Sequence, residues 1–223
     1  MSGPATIRLD RLYYPVTALG PGRRLGVWVQ GCSLACPGCM SRHTWDPVAG
    51  AEVGVDVVED AWRDALLDGA DGVTISGGEP LEQPAAGELL RRLAHVRDHL
   101  RPSSDILLYT GFSRREAVRR AEGTLASADA VITGRYVASR PTRLIWRGSS
   151  NQRLIPLTDR GAARYNAFVA HVPAQSPMQI GRDGADVLLI GVPRAGDLRR
   201  LDAAMRRSGI DPFPATWTEG RQP

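Results

Sequence analysis

The sequence contains no lysine: all 28 of its basic residues are arginine. Schiff-base catalysis, a pyridoxal phosphate anchor and the GxxxxGK[ST] phosphate loop each need that amine, so all three are excluded. Cysteine is scarce too, and the three present, Cys32, Cys36 and Cys39, fall within eight positions. An odd, tightly clustered set is not a disulfide framework, which uses even numbers at spread spacings in small secreted chains, so the thiols are expected to be reduced. No stretch approaches the roughly 20 apolar residues of a membrane span. The opening MSGPATIRLD carries neither a signal-peptide nor a transit pattern. The cytoplasm is therefore the expected address, and no membrane partner is expected. The formal charge of +4 comes from arginines spread in ones and twos. Without a basic block, no nucleic-acid partner is expected either.

What is present suits one ordinary globular domain: 223 residues, 43% apolar and 23% charged. Residues 25 to 30 (LGVWVQ), bounded by glycines, read as a buried strand that stops where the cysteines start. Val58, Trp62, Ala65 and Leu66 recur at helical spacing and close at Gly69. Strands follow at 72 to 76, 105 to 110 and 129 to 133. Between them lie a helix with Leu89, Leu93, Val96 and Leu100 on one stripe, and a serine-capped helix from Ser113 to Ala121. Strands alternating with helices predict an α/β fold with a largely parallel sheet and functional loops at the strands' carboxyl ends. After Leu157, Met178–Gly181 and Ala185–Ile190 flank a turn signal and predict a hairpin. Leu198, Leu201 and Met205 predict a short helix, and the last dozen residues read as frayed.

The cysteines have the spacing C-x3-C-x2-C. Two centres compete for them. Zinc would take His43 as a fourth ligand, in the pattern C-x2-C-x3-H, and would make the protein a zinc-binding interaction module. A four-iron cluster would be held by three thiolates, with one iron left open. Spacing alone leaves both standing.

The cysteine loop at a strand end, followed by Ser76-Gly77-Gly78-Glu79-Pro80-Leu81, resembles the radical S-adenosylmethionine superfamily. Tyr14-Pro15-Val16, Gly20-Pro21-Gly22-Arg23, the loop CSLACPGC, Thr44-Trp45 and the run Leu144 to Gln152 (LIWRGSSNQ) look like the activating proteins of anaerobic ribonucleotide reductases. Pyruvate formate-lyase activating enzymes are close cousins. The likeness covers roughly residues 13 to 153. It implies a partial, open β/α barrel of parallel strands over residues 1–157, with a C-terminal hairpin-and-helix extension over 158–223. It further implies that Cys32, Cys36 and Cys39 hold a [4Fe-4S] cluster whose open iron is chelated by S-adenosylmethionine. Gly38, Met40, Gly77, Gly78, Glu79 and Thr110 would border that cofactor. Thr133 stands where members usually carry an aspartate. The implied activity is reductive cleavage of S-adenosylmethionine to a 5′-deoxyadenosyl radical that abstracts a hydrogen atom, of the glycyl-radical-enzyme activase type. No catalytic side chain is needed beyond the cluster-bound cofactor. Implied partners are reduced flavodoxin or ferredoxin as electron donor and a glycyl radical enzyme. The alternative within this chemistry is modification of another peptide or a small molecule. Arg147 and Ser149 to Gln152 form the most polar run of the matched region and read either as a cofactor or partner contact or as a loop satisfying its own backbone.

Overall fold

The computed structural model describes residues 5–121 and 123–209. Its main sheet has seven strands. They are β1 (Thr6–Val16), β2 (Arg24–Val29), β3 (Ala51–Gly54), β4 (Gly72–Gly77), β5 (Asp105–Thr110), β6 (Ala130–Thr133) and β7 (Arg153–Pro156), in the spatial order β3-β1-β2-β4-β5-β6-β7. The central four, β2, β4, β5 and β6, run parallel, and β1, β3 and β7 add antiparallel edges. The α/β reading with a parallel centre therefore holds. The strand before the cysteines is the second and not the first, because β1 was not legible as a strand. Its apolar and polar residues lose their alternation where the register with β2 shifts between Leu9 and Arg11 and between Tyr13 and Val16.

Helices α1 (Val55–Leu67), α2 (Ala86–Leu100) and α3 (Arg114–Arg120) pack their apolar stripes on one face of the sheet. Trp62, Leu89 and Leu93 are buried as their spacing predicts, and Trp62 donates its indole N–H to the Leu93 carbonyl at 3.1 Å. Leu100 is exposed, since it is the last residue of its helix. On the opposite face, Leu107, Ile132 and Leu154 meet Ile145, Trp146 and Tyr165. Tyr165 ends α4 (Asp159–Tyr165) and is fully buried in this cluster.

At the amino-terminal ends of the parallel strands lies a buried polar knot. The Arg24 guanidinium donates to Asp105 Oδ1 at 2.6 Å and Oδ2 at 3.1 Å, to Thr74 Oγ1 at 2.6 Å and to the Val73 carbonyl at 2.8 Å. Arg164 and the Tyr165 hydroxyl also donate to the Asp105 carboxylate. Burial disfavours both charges, but Arg24 and its neighbours hold the Asp105 carboxyl below its ordinary range. Gly72 must lack a side chain here, because a Cβ would stand 2.4 Å from Arg24 Nη1.

The predicted hairpin and helix are present as β8 (Met178–Asp183), β9 (Asp186–Gly191) and α5 (Asp197–Arg207). The hairpin docks beside β1. Ile190 packs with Val16, Ala18 and Leu19, Gln179 bonds to Thr17 N and the Pro15 carbonyl, and Arg11 pairs with Asp183 and Asp186. The frayed end expected over the last dozen residues lies outside the described residues.

Candidate functional site

The cysteine loop begins as β2 ends, and hydrogen bonds from several directions fix its stem. Gly31 N donates to the Thr44 carbonyl at 2.8 Å and Cys32 N to the Trp45 carbonyl at 3.1 Å. Gln30, buried, donates its amide to the carbonyls of His43 and Asp46, while Gln83 donates to the Gln30 carbonyl at 2.7 Å. Glu82 accepts from the backbone N–H and the hydroxyl of Ser33. Gln30, Gln83 and Glu82 were not singled out from the sequence. Their partners lie up to 75 residues away, and only the run EPLEQ beside the glycine motif hinted at them.

Within the loop, Cys39 N donates to the Cys36 carbonyl at 3.0 Å, and all three thiols are free and half-buried. Burial pushes the Cys32 and Cys39 thiols above the ordinary range. Among the described residues no three His, Cys, Asp or Glu side chains form a metal-holding group. The loop thus supplies three sulfur donors on one short turn of chain without gathering them. His43 does not join them: its Nε2 lies 3.7 Å from Asp10 Oδ2. Met40 is half-buried in the same loop, and Gly38 is exposed at φ +79°, where a Cβ would come to 3.4 Å from the Tyr136 ring.

The glycine motif does its work against the neighbouring strand. Gly77 has φ +100°, and a Cβ there would lie 2.5 Å from Val29 N; one on Gly78 would lie 2.2 Å from the Gly31 carbonyl oxygen. Bare backbone lets Gly78 N donate to the Val29 carbonyl at 2.7 Å and Glu79 N to the Gly31 carbonyl at 2.9 Å. The motif and the cysteine loop are in this way joined directly, main chain to main chain.

Glu79 is only 1% exposed. Its Oε1 accepts from Leu81 N at 3.0 Å and from the Thr110 hydroxyl at 2.7 Å, and its Oε2 accepts from Gly111 N at 2.7 Å. A carboxylate has about four acceptor positions, so one is left for a further donor. Burial outweighs these bonds and pushes the Glu79 carboxyl up to about 7. Thr110 is turned toward Glu79, and its oxygen also accepts from Phe112 N at 3.1 Å. Gly111 completes the junction, because a Cβ there would fall 2.3 Å from Leu34 Cδ1 of the cysteine loop. Cys32, Cys36, Cys39, Gly77, Gly78, Glu79 and Thr110 therefore share one end of the sheet.

Beside this junction opens a cleft of about 830 Å³, walled by Leu34, Gly111, Ser113, Thr133, Gly134 and Asn151 among others. That volume falls in the range of roughly 300–1,000 Å³ usual for small-ligand sites. The polar run LIWRGSSNQ is mostly occupied with its own loop. Arg147 donates to the Ile145, Phe168 and Val169 carbonyls, Ser149 accepts from Val137 N, and Gln152 accepts from Gly148 N and Ser149 N. Two groups are exceptions: among the described residues the buried Trp146 Nε1 has no partner, and Asn151, a cleft-lining residue, donates its amide to the Arg135 carbonyl while its buried Oδ1 has none. Three thiols on one turn, adjoining a cleft of this size, fit a four-iron cluster with a small-molecule ligand beside it.

Comparison with known proteins bears on the same residues. The 4Fe-4S single cluster domain family matches residues 18–155. The anaerobic ribonucleoside-triphosphate reductase-activating protein of Enterobacteria phage T4 is 34% identical over 150 residues, spanning 67% of this chain and 94% of the relative. The proteins of the same description from Escherichia coli K12 and Haemophilus influenzae KW20 are 32% and 33% identical over 145 residues, each spanning 63% of this chain, with 93% and 92% of the relatives covered.

Proposed function

Because this chain belongs to the 4Fe-4S single cluster domain family, we propose that it works as a radical S-adenosylmethionine enzyme that activates a glycyl radical enzyme, an anaerobic ribonucleoside-triphosphate reductase. When bound, the cluster and S-adenosylmethionine supply a one-electron reductive cleavage that yields a 5′-deoxyadenosyl radical able to take a hydrogen atom. Cys32, Cys36 and Cys39 hold the cluster, closing their loop around it. One observation carries the reading: the loop with these thiols is bonded by backbone to the Gly78–Glu79 turn, next to the cleft.

The chain's own residues bind, orient and exclude water. Gln30 and Glu82 fix the two sides of the loop stem, so that the thiols close on the cluster with little further ordering. Glu79 clamps Thr110 and Gly111 to the motif, and its remaining acceptor position would be open to a donor of the methionine moiety. Gly38, Met40, Gly77, Gly78 and Thr110 border the cofactor. The parallel strands curl into an open barrel, with the hairpin and last helix as an extension. The electron donor is a reduced flavodoxin or ferredoxin, and the setting is the cytoplasm. Among the described residues no helix is long and apolar enough to cross a membrane.

Anaerobic reconstitution tests this. About four irons per chain are expected, together with 5′-deoxyadenosine formation on dithionite reduction. Zinc without iron, or no cleavage product, overturns the reading.

A further inference from the structure

Many arginines of this chain are matched to carboxylates. On β1, α1 and α2 and around the buried knot, Arg11, Arg23, Arg63, Arg92, Arg97 and Arg164 each make an ion pair. The pattern changes at the β5–β6–β7 side of the sheet. Arg114, Arg115, Arg119, Arg120, Arg135 and Arg153 are all exposed, and none is within ion-pair distance of a carboxylate among the described residues. Four of the six stand on the seven-residue helix α3. Its one acid, Glu116, is turned back to accept from the backbone N–H and hydroxyl of Ser113 as a capping box and makes no ion pair with them, so one carboxylate faces four guanidinium groups. Arg120 is held over the Phe112 ring at 3.9 Å, which fixes its charge at the surface.

The place of this patch matters as much as its sign. Arg114, Arg135 and Arg153 line the same cleft as Leu34, which belongs to the cysteine loop. The acids lie elsewhere: Asp56, Glu59, Asp60 and Asp64 follow one another on α1, which packs with β1, β2 and β3 at the other side of the sheet. Four exposed arginines are thus gathered on one short helix, beside the cleft that the cysteine loop borders through Leu34.

We propose that the outer face of α3, with Arg115 and Arg119 at its centre, is the docking surface for a small acidic one-electron donor protein. This rests on the function proposed above, since only a reductively loaded centre needs such a partner. In the step served, one electron leaves the donor's reduced flavin or iron–sulfur group and enters the cluster held by Cys32, Cys36 and Cys39. The donor is oxidised by one electron and no proton moves. Unpaired arginines suit this task because they steer an acidic partner at long range.

The test uses the cluster-loaded full chain with reduced flavodoxin as probe, and two variants, Arg115→Glu/Arg119→Glu and Arg199→Glu. Arg199 is exposed on α5, away from the patch. The first readout is the flavodoxin dissociation constant across a salt series, and the second is the rate of cluster reduction by flavodoxin and by dithionite. The double variant is expected to weaken flavodoxin binding about tenfold or more and to lose most of its salt dependence. Dithionite reduction should stay unchanged, and Arg199→Glu should behave as the parent. Unchanged flavodoxin affinity overturns the proposal. So does equal slowing with both reductants, or a loss confined to binding of the radical-accepting enzyme. Parent protein that takes up no cluster sinks the functional reading itself, which is a separable result.

Discussion

The same three parallel strands carry two very different polar constellations at their two ends. Near their amino-terminal ends β2, β4 and β5 supply Arg24, Thr74 and Asp105, a buried knot in which each charge has several partners. At their carboxyl ends they lead into the cysteine loop, Glu79 and Thr110, where three thiols are free and one carboxylate keeps an unused acceptor position. The first is saturated and serves stability. The second is left incomplete, as a binding site must be, and its groups are pushed away from their ordinary ionisation by burial without a compensating charge.

Several experiments break or sharpen this contrast. The largest effect belongs to the carboxyl end. Cys32→Ala, Cys36→Ala or Cys39→Ala should abolish cluster retention and 5′-deoxyadenosine formation, measured by iron content and product analysis. The thermal midpoint of the metal-free chain should scarcely move, since the thiols are only half-buried. At the other end Asp105→Asn should do the reverse. Leaving Arg24 and Arg164 without their carboxylate costs about 3–5 kcal/mol, a fall of about 10 °C or more in the melting temperature of a domain this size. Cluster binding below the transition should survive.

Glu79 connects the two behaviours through pH. Its carboxyl titrates at about 7 when folded, against 4.5 in the unfolded reference. Between those values the folded state holds a proton that the unfolded state has lost, so stability falls as pH rises through that window and levels off above it. The contribution is on the order of 3 kcal/mol. Urea unfolding of the metal-free protein and of Glu79→Gln should show this slope in the former and lose it in the latter. Equal slopes would refute the assignment. The smallest effect is expected at Ser113→Ala, which removes the capping box of α3 and should cost about 1 kcal/mol without altering cluster content. If it also weakened flavodoxin binding, the helix's placement, and not only its charge, would be at work.

The cysteine spacing, the SGGEP turn and the strand–helix alternation were legible because each is a local pattern: ligands on one short loop, glycines at one turn, apolar residues at one period. β1 was not legible, because its register breaks twice against β2. The bond from Tyr165 to Asp105 was not legible either, because nothing local to Tyr165 reveals that it reaches a residue 60 positions away. Gln30, Gln83 and Glu82 stayed hidden for the same reason, as did the close approach of Gly77 and Gly78 to the backbone of Val29 and Gly31.

By itself, then, the sequence determined the donor set and the chemistry it can support, since three thiols and the absence of lysine are facts of composition. Only the tertiary structure decided what those residues face. It turned His43 toward Asp10, spent Arg147 on backbone carbonyls, aimed Thr110 at Glu79 and left the arginines of α3 unpaired. Pairing of charges and burial of a carboxyl depend on which strands become neighbours, and that is settled by packing across the whole sheet.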